Sequence, residues 1–241
     1  MIINEPLIPE LDDLYNLYQY VLINKRTTIL EFGSGWSSLI LSLALKELAD
    51  GQGAKNAYCK LRFKYPMYQE ALRTKNKRGH IAYKTELEGQ YRDGEYKWFL
   101  TIDYVYSSTC PCSFELAHDA RSKRNAAANA HSQRSILKVK VAFDRTNGNI
   151  VWIEDLVDLC RLNIPTEVQI VVKRRDEQAF AELNGANLLF SEDAVRIVHD
   201  ALDRWVEGKK ILDFSIVASH EESLHPWNAI AVSVGGYGIL E

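Results

Sequence analysis

Apolar and polar residues alternate in four separate runs through the middle of this chain, and a period of two that persistent restricts it to a fold built on a one-faced sheet. Leu61, Phe63 and Tyr65 make the first run, up to Pro66, and Ile81, Tyr83, Thr85 and Leu87 the second. Trp98, Leu100, Ile102, Tyr104 and Tyr106 make the third, and Leu137, Val139, Val141 and Phe143 the fourth. Successive side chains on a strand point to opposite faces, so each run buries one face and wets the other. Asp93-Gly94 is a hairpin signal between the second and third runs, and Asn147-Gly148 closes the fourth. Two short strands, Leu212-Phe214-Ile216 and Ile230-Val232-Val234, end the chain.

Helical spacing occupies the gap before those last strands. Trp152, Leu156 and Leu159, flanked by Ile153, Val157 and Cys160, fit one helix. A longer one has Ser191 as its N-cap, a stripe of Ala194, Val195, Val198, Ala201, Leu202 and Trp205, and Gly208 as its stop. From Trp98 the order is β-β-α-α-β-β, which predicts an α+β layer rather than a parallel α/β sheet.

The pattern before Asp50-Gly51-Gln52-Gly53 is different. Leu14, Leu17, Tyr18 and Val21 recur at helical spacing, residues 27–32 read as a short buried strand, and Gly33-Ser34-Gly35 leads into a helix from about Ser37 to Leu48. A formal charge of −3 with 46% hydrophobic residues excludes a disordered chain and a globally basic binder of nucleic acid or membrane. The start lacks the basic and apolar regions of a signal peptide, and residues 39–45 are too short to span a bilayer, so a cytoplasmic location is expected. Four cysteines in such a chain point to metal binding, catalysis or burial rather than to a disulfide framework.

Cys110 and Cys112 carry the most chemistry. Two residues apart on an extended chain they share a face, while Pro111 stiffens the link against a disulfide between them. A lone pair of this kind is as readily two small buried residues at a strand end. Here His131 opens the next strand, Glu154 lies on the following helix and His225 lies in the loop before the last strand, all at element ends that one layer can bring together. Thiolate, imidazole and carboxylate with an open position would bind a transition metal able to activate water. His118 and His220 are alternative ligands at the same spacing.

These residues fall in six motifs: Cys110-Pro111-Cys112-Ser113, His131-Ser132-Gln133-Arg134-Ser135, Trp152-Ile153-Glu154-Asp155-Leu156, Thr166-Glu167-Val168, Lys173-Arg174-Arg175-Asp176-Glu177 and Glu222-Ser223-Leu224-His225. In that order they resemble the type IB GTP cyclohydrolases, over roughly residues 54 to 241. The resemblance implies a tunnel fold, an antiparallel sheet with helices on one face. Residues 97–241 would form a complete second module carrying the active site, residues 54–96 a truncated first module, and residues 1–53 an orphan segment. It implies Cys110, His131 and Glu154 as ligands of a divalent metal, zinc, manganese or iron. Cys110, Glu222 and His225 would be catalytic, Glu167 would pair with the guanine edge, and Lys173 and Arg174 would meet the triphosphate. The implied reaction converts GTP and water to 7,8-dihydroneopterin triphosphate and formate, in a homo-oligomer, a tetramer, with activity lowered by the incomplete first module. Two departures stand out: residues 114–130 form a longer, partly helical loop, and Trp227 occupies a position where some relatives carry a second histidine.

The front of the chain is similar to something else. Residues 29–38, with Glu31, Gly33 and Gly35, resemble motif I of class I S-adenosylmethionine methyltransferases, in which a glycine loop lets the backbone approach the cofactor. No acidic second strand or further βα units follow. The rival readings are therefore an inactive remnant that binds metal or guanine nucleotide, a methyltransferase, and the tunnel-fold nitrile reductase activity, which needs NADPH and no metal.

Overall fold

The chain was analysed as a computed structural model, which describes residues 56–92, 95–144, 150–238 and 240, together with Tyr15, Gln19, Glu47 and Asp50. The helix, strand and glycine loop expected before residue 50 lie outside the described residues, as do Asp93-Gly94 and Asn147-Gly148 themselves.

The four alternating runs become β1 (Asn56–Glu70), β2 (Arg78–Arg92), β3 (Glu95–Thr109) and β4 (Ser132–Phe143). With β5 (Asp213–His220) and β6 (Ala229–Gly236) they form one antiparallel six-stranded sheet in sequential order. From residue 56 on, among the described residues, four helices complete an α+β fold: α1 (Pro111–Arg124) between β3 and β4, then α2 (Ile153–Asn163), α3 (Arg174–Ala186) and α4 (Ser191–Glu207) between β4 and β5. Arg92 lies opposite Glu95, so the strands flanking the expected hairpin do pair. β1 and β2 continue directly into β3, and residues 56–92 therefore share one sheet with the rest.

One face of the sheet is dry. Leu100, Ile102, Tyr104, Leu137, Val139, Val141, Phe214 and Ile216 are buried there with Leu156 and Val157 of α2 and Val198 and Leu202 of α4. Each such side chain contributes about 1.5–3 kcal/mol by leaving water. The phenol of Tyr104, wholly buried, donates to the Ile164 carbonyl at 2.8 Å and so stays satisfied. Among the described residues no helix is long and apolar enough to cross a membrane.

Three details differ from the sequence expectation. β1 runs through Pro66 to Glu70, which a proline permits because, among the described strands, β1 is at the edge of the sheet. The N-cap of α4 is Phe190, whose N–H donates to the Asp193 carboxylate at 3.2 Å, and Ser191 is the first helical residue. The helix does stop at Gly208, but the left-handed residue is Lys209, at φ 57°. α3 had no apolar period to announce it, since its buried positions are Asp176, Ala179 and Asn184.

The register of β2 and β3 ends at Lys84 and Asp103. Beyond that point the segment after α2 takes the vacated edge of β3. Ser107 N–H donates to Thr166 C=O at 2.8 Å and Val168 N–H to Val105 C=O at 3.2 Å, with Glu167 opposite Tyr106. This insertion forms one wall of the site.

Candidate active site

The ends of β3, β4 and β5 meet at one corner of the sheet. Thr109 pairs with Ser132 and Ser135 with His220. Cys110 ends β3 in an extended conformation and is the N-cap of α1, with Pro111 at the first helical position, where its missing N–H costs nothing. One backbone bond ties Cys110 to His131, Cys110 N–H donating to His131 C=O at 3.4 Å, and His131 N–H donates in turn to the Ser113 hydroxyl on the first turn of α1 at 3.0 Å. The Cys110–His131 juxtaposition expected from the sequence is thus present.

His131 Nδ1 lies 3.3 Å from Gln133 Oε1 and 3.8 Å from Glu222 Oε2. Both oxygens are acceptors, which assigns the ring proton to Nδ1 and leaves the Nε2 lone pair for a ligand. Gln133 Nε2 donates to Ser108 Oγ at 2.8 Å and to Glu222 Oε1 at 3.3 Å, and Ser108 Oγ meets Ser135 Oγ at 2.7 Å. Glu222, Gln133 and His131 therefore form one network. Glu221 N–H on Arg134 C=O, at 3.2 Å, fixes the chain that carries Glu222.

Other expected residues lie elsewhere. Glu154 accepts a hydrogen bond from Tyr65 of β1. It sits on the first turn of α2, about 10 Å along the helix from Arg161 by the usual helical rise. Glu167 is 5% exposed and faces the interior, where Tyr83 donates to Oε1 while Gln69 Nε2, at 2.8 Å, and Arg161 Nε, at 3.1 Å, donate to Oε2. Three of roughly four lone-pair sites are thus taken, too many for a guanine edge needing two. Burial and the Glu167 hydrogen bond push the Tyr83 phenol far above its ordinary range. Lys173 and Arg174 are exposed at the start of α3. His225 stacks on Trp227 in the exposed loop before β6, ring centroids 5.2 Å apart. His118 is exposed on α1, Cys112 is exposed, and Cys160 is buried with its thiol pushed well up by burial.

A cleft of about 350 Å³ opens beside the corner, bounded by Gln133, Arg134, Val168, Gln169, Glu177 and Phe180, among others. The acidic side chain in its lining is Glu177, a residue inside a run whose cations alone had drawn attention. Locating α3 in the sequence would have put Glu177 on its first turn. Glu192, also unanticipated, acts electrostatically on His220 together with Glu222.

His220 is the buried imidazole of this region, with Nε2 at 2.8 Å from the Tyr106 hydroxyl. Burial lowers its pKa, against the pull of Glu222 and Glu192. The unfolded chain then binds a proton more readily, near its ordinary value of about 6.5. The stability His220 contributes is complete above that pH and is lost as pH falls towards the lower folded value. Melting curves between about pH 8 and about pH 5 should show this decline, and a shallower one in His220→Gln. Equal slopes would assign the acid sensitivity to other groups.

Known proteins match along most of the chain. GTP cyclohydrolase FolE2 of Dinoroseobacter shibae is 48% identical over 181 residues, covering 75% of this chain and 48% of its own length. The FolE2 protein of Paracoccus denitrificans is 45% identical over 197 residues, covering 82% of this chain and 59% of its own. Among solved structures, uricase from Arthrobacter globiformis aligns with 97% of this chain and 79% of its own at 8% identity, with a TM-score of 0.46, too low to bear on function. The α+β sheet with a thiol, an imidazole and a carboxylate at one corner is that of a candidate enzyme. The family model for type I GTP cyclohydrolase folE2 matches residues 20–231, and the chain belongs to that family. It spans about half the length of the curated relatives it matches. The family match includes residues 29–38, so the methyltransferase resemblance of that stretch gains no support.

Proposed function

We propose that this chain is a GTP cyclohydrolase, taking GTP and water to 7,8-dihydroneopterin triphosphate and formate. The observation that carries the reading is the Cys110–His131–Glu222 corner in a member of this family, joined through Gln133 to a cleft of about 350 Å³ beside it.

The donors at the corner suit a divalent zinc, manganese or iron ion in kind, a thiol and an imidazole with its Nε2 lone pair free of the Gln133–Glu222 network. In number they are incomplete, since among the described residues no group of three or more His, Cys, Asp or Glu side chains is gathered to hold a metal. Cys110 and His131 would hold the ion. When bound it would supply Lewis acidity and make a water nucleophilic near neutral pH. Glu222 touches both His131 and Gln133, a position suited to moving a proton at the opened ring. Glu177 takes the carboxylate role in the cleft that Glu154 and Glu167 leave vacant, and Arg134, Lys173 and Arg174 are the cations offered to the triphosphate.

Self-association belongs to the same reading. Among the described strands β6 is an edge strand, and its exposed Ile230, Val232 and Val234 share one face, an apolar strip that a second copy of the chain would cover. A tetramer is the state implied by the resemblance, and a cytoplasmic location goes with it. The reading is tested by titrating GTP and ATP separately. Binding of GTP at least about tenfold tighter than ATP is expected from a site that pairs with the guanine edge. Equal affinities would count against it.

A further inference from the structure

The wall of the cleft is built from the back of the chain but held from the front. Residues 166–172 carry Val168, Gln169 and Val172 into the cleft lining. On one side they bond to β3 through Thr166 and Val168. On the other side there is no full strand ladder, and one side chain replaces it. Gln69, at the end of β1 and only 8% exposed, accepts from Ile170 N–H at 2.9 Å through Oε1. Its Nε2 donates to Val168 C=O at 2.9 Å and to Glu167 Oε2 at 2.8 Å. Both amide hydrogens and the amide oxygen are committed to Glu167, Val168 and Ile170 of one wall.

A second contact closes on the same segment from β2. A Cβ placed on Gly79 would lie 2.7 Å from Ile170 Cγ2 and 2.9 Å from Val171 Cγ2, so only glycine allows the wall to approach this closely. An ordinary buried glutamine would need its hydrogen bonds satisfied somewhere, but nothing would require all of them to go to the one segment that carries a wall of the cleft.

We propose that Gln69 is a positioning residue for the cleft, setting the distance of the Val168–Gln169 wall from Gln133 and Arg134 across it. The proposal rests on reading the cleft as the nucleotide site. Gln69 touches no reacting atom; it acts through the wall. Gly79 makes its reach possible.

The test uses the full chain and two readouts. In Gln69→Ala the Ile170 amide should exchange with solvent at least about tenfold faster, while the Val168 amide, held by Val105, keeps its protection. GTP should bind about tenfold more weakly, the size of one lost net hydrogen bond, with turnover at saturating GTP little changed. Gly79→Ala should weaken GTP binding as well, and adding Ile170→Ala together with Val171→Ala, which removes both clashing methyl groups, should restore it. Unchanged protection at Ile170 in Gln69→Ala would overturn the proposal. So would wild-type GTP affinity in a variant whose Ile170 amide has become exposed, or failure of the rescue by Ile170→Ala with Val171→Ala. If the unmodified chain bound no GTP, the nucleotide reading would fall, while the exchange measurement would still decide whether Gln69 holds the wall.

Discussion

Cys110→Ala is expected to abolish turnover of GTP, lowering it about a thousandfold or more, and to reduce the divalent metal retained per chain. The size follows from losing a metal-side interaction worth several kcal/mol at the transition state. Neither Cys112 nor Cys160 can substitute. Cys112 is exposed on the first turn of α1, and Cys160 is buried in the core with a thiol that burial keeps protonated. Cys112→Ser should therefore retain most activity and metal. Metal analysis of the purified variants beside a formate assay checks both statements. Wild-type rate and metal content in Cys110→Ala would show that the corner had been misassigned.

The second large effect concerns the buried charge behind the cleft. Arg161→Met should destabilise the fold by about 3 kcal/mol, because it strands the Glu167 carboxylate in the interior. Burial alone would disfavour the charged guanidinium, but Glu167 and Tyr83 more than compensate and hold its pKa above the usual value. Its Nη2 also donates to the Tyr83 hydroxyl at 2.9 Å, joining α2 to β2. Arg161→Lys keeps the charge but loses the planar fork, and should fall between. Removing both partners, in Arg161→Met with Glu167→Leu, should recover only part of the loss, since no charge is left unpaired but the Tyr83 hydroxyl and one Gln69 amide hydrogen lose their acceptor. Denaturant midpoints with unchanged slopes would report this order. An Arg161→Met protein as stable as the parent would mean that Glu167 finds compensation elsewhere.

The sheet was legible because its signal is local and repeated. Leu100, Ile102 and Tyr104 alternate regardless of what covers them, and a residue's face follows from its parity. The Cys110–His131 contact was legible for a related reason, since each residue sits at the end of a strand and the two strands are neighbours. The carboxylates were not. Glu154 and Glu167 stand in the sequence beside the right motifs, but whether a carboxylate faces a cleft or the core depends on Tyr65, Tyr83, Gln69 and Arg161, partners up to 98 residues away. The same distance hid Gln69, which reads as one polar residue at the end of an alternating run. α3 escaped because it buries an aspartate: Asp176 accepts from the Arg73 and Thr74 amides at 2.7 and 2.8 Å and pins the connection between β1 and β2. A buried polar anchor has no hydropathy period.

Product release tests the central claim most directly. The chain is incubated with GTP and zinc, manganese or iron in turn, and formate and the pterin product are quantified together by mass. The account predicts one formate released for each 7,8-dihydroneopterin triphosphate formed, with at least one of the metals, and neither product from Cys110→Ala. GTP bound and recovered intact, with no formate under any of the three metals, would contradict it.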